Sequence, residues 1–311
     1  MTALICGSFA YDNIMVFPDR FKNHILPEKV HVLNVSFMVP EMRREFGGCA
    51  GNIAYNLELL GGHGISMGTV GKDFDQYAEW MDKNAISRKY VKVIDDVFTG
   101  QAFITTDLDD NQITAFHPGA MAYSHHNKVS DAEGITIGII SPDGKDGMIE
   151  HASQFQELGI PFIFDPGQGI PMFNGDELKI FIEQASWISV NDYEWQMIQK
   201  QTGITPHEAT EMVKALIITR GSEGSVIYTQ EKRFEITSAS VSEIKDPTGC
   251  GDAYRAGLIY GLMNDMDWET TGRIASLMGA IKIECNGTQN HTIDRDYFKD
   301  RFKDAFGYTL E

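Results

Sequence analysis

Short apolar runs that stop at a turn or a polar residue recur along this chain. Ala3-Leu4-Ile5-Cys6 ends at Gly7, and Ile135 to Ile140 ends at Ser141-Pro142. Pro161 to Phe164 ends at Asp165-Pro166, Trp187 to Val190 at Asn191, and Ala215 to Ile218 at Thr219. Each run is too short for a helix and has no polar alternation, so it predicts a strand buried on both faces. Helical spacing fills the gaps, over 147–158, 176–185, 192–201 and 206–214. Such alternation predicts an α/β fold with a mainly parallel central sheet flanked by helices on both faces. Ligands of these sheets bind outside the carboxyl ends of the strands, and Asp12, Asp165, Asn191 and Thr219 fall there.

Two segments break the rhythm. The stretch 30–39 is β-branched and apolar with no helical period, and 101–107 and 112–116 flank the turn-like Leu108-Asp109-Asp110-Asn111. They predict a small separate β-sheet that covers the site as a lid, with an edge hairpin added to the main sheet as the competing reading. The chain then divides into a core α/β domain of residues 1–14, 46–97 and 121–311 and a β lid of residues 15–45 and 98–120.

Composition narrows the partners. The 311 residues are enough for a large core, and 26 Lys+Arg against 44 Asp+Glu leave a net charge of −18. That balance argues against nucleic acid or an anionic membrane as the main partner. Four scattered cysteines without C-x-x-C spacing read as reduced thiols. No apolar run approaches the ~20 residues that span a bilayer. The expectation is a cytoplasmic protein, monomer or homodimer, that works on small molecules.

Candidate chemistry concentrates in Lys245-Asp246-Pro247-Thr248-Gly249-Cys250-Gly251-Asp252, which runs into the apolar helical pattern of Ala256, Leu258, Ile259, Leu262 and Met263. Two glycines at a helix N-terminus let unpaired amides and the helix dipole bind an anion, and Asp252 in the first turn is a candidate general base beside a phosphate. Plain helix capping by Thr248 or Asp252 is the competing reading. Elsewhere, Gly47-Gly48 with Asn52 precedes a helix and suits a polyol. Asn191 and Glu194 share a helix face and suit hydrated Mg²⁺ or phosphate. Thr219-Arg220-Gly221-Ser222-Glu223-Gly224 suits a nucleotide-phosphate loop or a simple hairpin. The P-loop signature is absent, and a dinucleotide fingerprint would need a third glycine where Tyr254 stands.

The order and spacing of these motifs resemble the ribokinase-like family, also called phosphofructokinase-B (PfkB) kinases, which phosphorylate sugars and nucleosides. Cys250 stands where alanine is usual in that family, and Pro247 where threonine is frequent. The resemblance implies that Asp252 is the catalytic base and that Gly249, Cys250 and Gly251 form the anion hole. It implies that Asp12, Gly48 and Asn52 bind substrate hydroxyls and that Thr219, Gly221 and Gly224 line the ATP site. Asn191 and Glu194 would order Mg²⁺ through water, and Asp246 is a candidate for a monovalent-cation loop holding K⁺. Two stretches, 115–120 and 287–291, are most similar to bacterial adenosine kinase-like members, with Phe116 as an aromatic floor for a base. The expected reaction is transfer of the γ-phosphoryl group of ATP to a nucleoside, foremost the 5′-hydroxyl of adenosine. A sugar kinase of the same family and a non-catalytic nucleoside-binding regulatory protein are the alternatives.

Overall fold

The computed structural model describes residues 1–25, 34–109 and 111–310. Its first half runs β1 (Ala3–Cys6), β2 (Ala10–Val16), β3 (Glu41–Gly47), α1 (Cys49–Leu59), β4 (Gly64–Gly71), α2 (Asp75–Lys83), β5 (Ser87–Ile94), β6 (Gly100–Thr106) and β7 (Gln112–His117). Then follow β8 (Ile137–Ile140), α3 (Lys145–Glu157), β9 (Phe162–Phe164), α4 (Gly175–Gln184), β10 (Trp187–Asn191), α5 (Asp192–Thr202) and α6 (Pro206–Met212). The chain closes with β11 (Ala215–Thr219), β12 (Ser225–Tyr228), β13 (Arg233–Ile236), α7 (Cys250–Met263), α8 (Trp268–Ile283) and α9 (Arg295–Phe306).

A nine-stranded sheet takes the order β13-β12-β11-β10-β9-β8-β1-β4-β5. It is parallel from β5 to β11, and β12 and β13 extend it antiparallel. Every side chain of β1, β8 and β9 is buried, which is why these strands read as unbroken apolar runs. Alternate residues feed opposite faces. Ile5, Ile139, Ile163 and Ile217 pack under α1, α2 and α7, whereas Leu4, Cys6, Ile140 and Phe164 pack under α3 to α6. Capping boxes at Asn174, Asn191 and Thr205 start α4, α5 and α6. No helix among the described residues is long and apolar enough to cross a membrane.

The second sheet is small, with order β3-β2-β6-β7. Its hairpin β6–β7 matches the sequence expectation, although Asp110 in the turn lies outside the described residues. Two expectations differ. Of the strand expected over 30–39, residues 30–33 lie outside the described residues and 34–39 are irregular. The strand is instead β3, Glu-Met-Arg-Arg-Glu-Phe-Gly, whose first four positions are exposed, three of them charged. Residues 10–14 also pair with β3 and β6, so the small sheet starts at Ala10 rather than beyond residue 14.

Candidate active site

Asp246 sets the turn that opens α7. Its Oδ1 accepts the Thr248 N–H at 2.9 Å, and the Cys250 N–H donates to Pro247 O at 3.2 Å. Gly249 precedes the helix at φ +79°, a left-handed conformation that glycine adopts without strain. Cys250 N–H is thus engaged in the turn, a correction to the anion hole read from the sequence. The N–H groups of Gly249, Gly251 and Asp252 have no partner among the described residues. Those three, with the dipole of a 14-residue helix behind them, can bind an anion.

Asp252 follows in the first turn. Its Oδ2 accepts a hydrogen bond from Asn52 Nδ2 at 2.8 Å. Asn52 Oδ1 in turn accepts from Gln289 Nε2 at 2.9 Å, and Gln289 Oε1 accepts from Trp80 Nε1 at 2.9 Å. An indole N–H only donates, so it fixes both amides in the orientation that leaves Asn52 donating to the carboxylate. Asn52, expected on a substrate hydroxyl, therefore acts first on Asp252. Burial pushes the Asp252 carboxyl above its usual range, and the Asn52 hydrogen bond pulls it part of the way back.

Asp12 is the third residue of β2, not the residue just past β1. Strand register puts it in one row with Glu45 of β3, Ala102 of β6 and Phe116 of β7, all on one face of the small sheet. Phe103 lies one residue further and faces the other way, and Phe37 packs against Phe17 and Phe21 with centroids 4.8 and 5.0 Å apart. Of the lid aromatics, Phe116 is the one beside Asp12. Burial, then the carboxylates of Asp252, Asp246 and Glu45, raise Asp12 to about 6. Gly48 holds φ +85°, and a Cβ there would come within 2.6 Å of Ser8 O, Phe9 Cα and Ala10 N. No other residue fits where the small sheet joins α1.

On the far side of the α7 turn lies a cavity of about 500 Å³. Asn191, Thr219, Gly221, Gly224, Cys250 and Gly251 all line it, so the expected nucleotide residues do come together. Its apolar wall, Ala239, Val241, Ile244, Ala280 and Ile283, was not foreseen. Those residues sit on the connection after β13 and on α8 with no period that marks a site.

Asn191 and Glu194 form a reciprocal cap. Glu194 N–H donates to Asn191 Oδ1, and Asn191 N–H donates to Glu194 Oε2, both at 2.7 Å. Beside them Arg255, buried one turn after Asp252, donates to Asp165 Oδ1 at 2.9 Å and lies 3.8 Å from Glu194 Oε2. Burial works against this guanidinium, but Asp165 first, then Glu194 and Asp252, hold its pKa above the ordinary value. Arg255 was missed in the sequence, although its i+3 spacing from Asp252 is a signal.

Asp246 is held by the main chain. Its Oδ2 accepts the Gly287 N–H at 2.9 Å and its Oδ1 serves Thr248, so both carboxylate oxygens serve the main chain. Its carbonyl oxygen accepts a hydrogen bond from Lys282 Nζ at 2.7 Å.

The model of the pfkB family carbohydrate kinases matches residues 10–295. A nucleoside kinase of Methanocaldococcus jannaschii is 32% identical over 270 residues, covering 85% of this chain and 87% of the relative. The structure of Burkholderia thailandensis nucleoside kinase in complex with inosine superposes with a TM-score of 0.90 at 51% identity, covering 99% of each chain. The same enzyme in complex with ADP-inosine gives a TM-score of 0.88 at 52% identity, covering 99% of this chain and 97% of that one. A family match across nearly the whole length, over a ribokinase-like pair of sheets with an anion turn and a carboxylate at α7, leaves one assignment: this chain belongs to the pfkB family of carbohydrate kinases.

Proposed function

We propose that this chain is an ATP-dependent nucleoside kinase that transfers the γ-phosphoryl group to the 5′-hydroxyl of a purine nucleoside. One observation carries the reading: Asp252 stands between free helix N–H groups on the side of the large cavity and Asp12 on the side of the small sheet. ATP fits the cavity, with its adenine against Val241, Ile244, Ala280 and Ile283 and its phosphates toward Thr219, Gly221, Gly224 and the α7 turn. Asp12 accepts hydrogen bonds from the ribose 2′- and 3′-hydroxyls, and Phe116 offers its ring to the base. Adenosine, the acceptor expected from the sequence, and inosine, which the relative from Burkholderia thailandensis binds, both suit that face.

In the transfer, the 5′-oxygen attacks the γ-phosphorus as the bond to the β-phosphate oxygen breaks, and Asp252 takes the hydroxyl proton late. The N–H groups of Gly249, Gly251 and Asp252 hold the charge on the phosphoryl oxygens. Asn52, locked by Gln289 and Trp80, keeps Asp252 aimed. Mg²⁺ bound with the nucleotide would neutralise charge on the phosphates, with Asn191 and Glu194 holding it through water. The residues fit it through water, because only Oε2 of Glu194 is engaged in the cap. The small sheet that carries Asp12 excludes water from the reacting groups.

The test is ADP release from ATP with a panel of adenosine, inosine, other nucleosides, ribose and fructose. Purine nucleosides give the highest specificity constants. A higher value for ribose or fructose overturns the acceptor and leaves the kinase standing. No ADP release with any acceptor points to a binding protein.

A further inference from the structure

Lys282, in the last turn of α8, is fully buried yet has no carboxylate within ion-pair distance among the described residues. Its ammonium is held by main-chain oxygens: Nζ donates to Asp246 O at 2.7 Å and to Cys285 O at 3.2 Å. A buried ammonium is expensive unless its hydrogen bonds are made, and a lysine is the compact point charge that two converging carbonyls can hold. The place is telling. Asp246 opens the turn that presents Gly249, Gly251 and Asp252, and Cys285 opens the loop that carries Gly287, Thr288 and Gln289. Lys282 thus clamps the anion turn to the loop that positions Asn52. Burial pushes the Asp252 carboxyl and the Cys250 thiol up, and the charge of Lys282 offsets part of that push at both.

Carbonyl oxygens gathered at a turn are also what a monovalent cation binds. The residues present do not fit such an ion. Both Asp246 carboxylate oxygens serve main-chain N–H groups, and the carbonyls of Asp246 and Cys285 already face an ammonium that would repel a second positive charge. We propose that Lys282 is a tethered monovalent cation, which holds the phosphoryl-binding turn and supplies its positive charge from within the chain, so that this kinase works without K⁺. The inference rests on the phosphoryl-transfer reading above.

The experiment compares wild-type turnover, and ADP affinity by calorimetry, in a choline buffer with and without added K⁺. Both stay unchanged if Lys282 fills the role. A several-fold gain in either on adding K⁺ overturns the proposal and leaves the kinase reading intact. If the wild type phosphorylates nothing, the kinase reading fails, and the ADP arm still decides the role of Lys282. Lys282→Met, checked by circular dichroism, loses about tenfold or more in turnover, and K⁺ or NH₄⁺ restores part of the loss. A folded Lys282→Met as active as wild type, and indifferent to both ions, contradicts the proposal. Should this variant not fold, the two wild-type arms decide between the outcomes.

Discussion

Asp12 shares its surroundings with Asp252, Asp246 and Glu45, and burial adds to their repulsion, so its carboxyl titrates at about 6. A carboxylate accepts from both ribose hydroxyls, whereas the protonated form offers a donor where an acceptor is needed. Nucleoside affinity therefore weakens as the pH falls below about 6. Calorimetric titrations across that range show a step in the wild type that Asp12→Asn lacks, and the same step in both sinks the assignment. A 2′-deoxynucleoside leaves one acceptor site of Asp12 desolvated and unpaired, which weakens binding by about 1–3 kcal/mol. One substitution separates the observed helix cap of Glu194 from its proposed Mg²⁺ role. In Glu194→Gln the amide oxygen still accepts the Asn191 N–H, so the cap survives while the charge goes. The Mg²⁺ concentration for half-maximal rate rises in this variant, and an unchanged Mg²⁺ dependence reduces Glu194 to a helix cap.

Elements place these residues, and the joint between β3 and α1 is the tightest. Gly48→Ala sets a Cβ against three main-chain atoms at 2.6 Å in a left-handed conformation, with nothing flexible to give way. Loss of at least about 2 kcal/mol of stability follows, read as a lower midpoint in urea unfolding; a midpoint equal to wild type shows that the joint can yield. The elements legible in the sequence were those whose environment is uniform. β1, β8 and β9 are buried throughout and read as apolar runs, and α5 announces itself through Asn191 and Glu194. β3 was illegible because exposed strand positions carry Arg and Glu, which have no strand signature. Asp252 was legible because two glycines ahead of a helix acid are rare without a purpose. Trp80, Lys282 and the role of Gln289 within 287–291 were not, because their partners lie 209, 36 and 237 residues away and only the fold brings them together.

The molecule as a whole carries an acidic excess of 18 charges and several carboxyl groups that resist ionisation. Asp143, just past β8, is the clearest: burial raises it to about 8 despite the Gly144 N–H on Oδ1, and Oδ2 has no partner among the described residues. Its folded pKa lies above the unfolded value, so the stability it contributes is complete at low pH and is lost as the pH rises through about 8. The thermal midpoint of the wild type falls across that range, and Asp143→Asn flattens the fall; parallel curves place the loss elsewhere. In the proposed reaction the nucleoside lies on the small-sheet side and ATP in the large cavity, with Asp252 between them. The most direct measurement is single-turnover formation of nucleoside 5′-monophosphate from ATP with adenosine or inosine, in the wild type and in Asp252→Asn. The wild type forms the 5′-monophosphate and ADP in equal amounts, and the variant does so at least ~10²-fold more slowly with nucleoside and ATP affinities nearly unchanged. A variant that forms the product at close to the wild-type rate would contradict this.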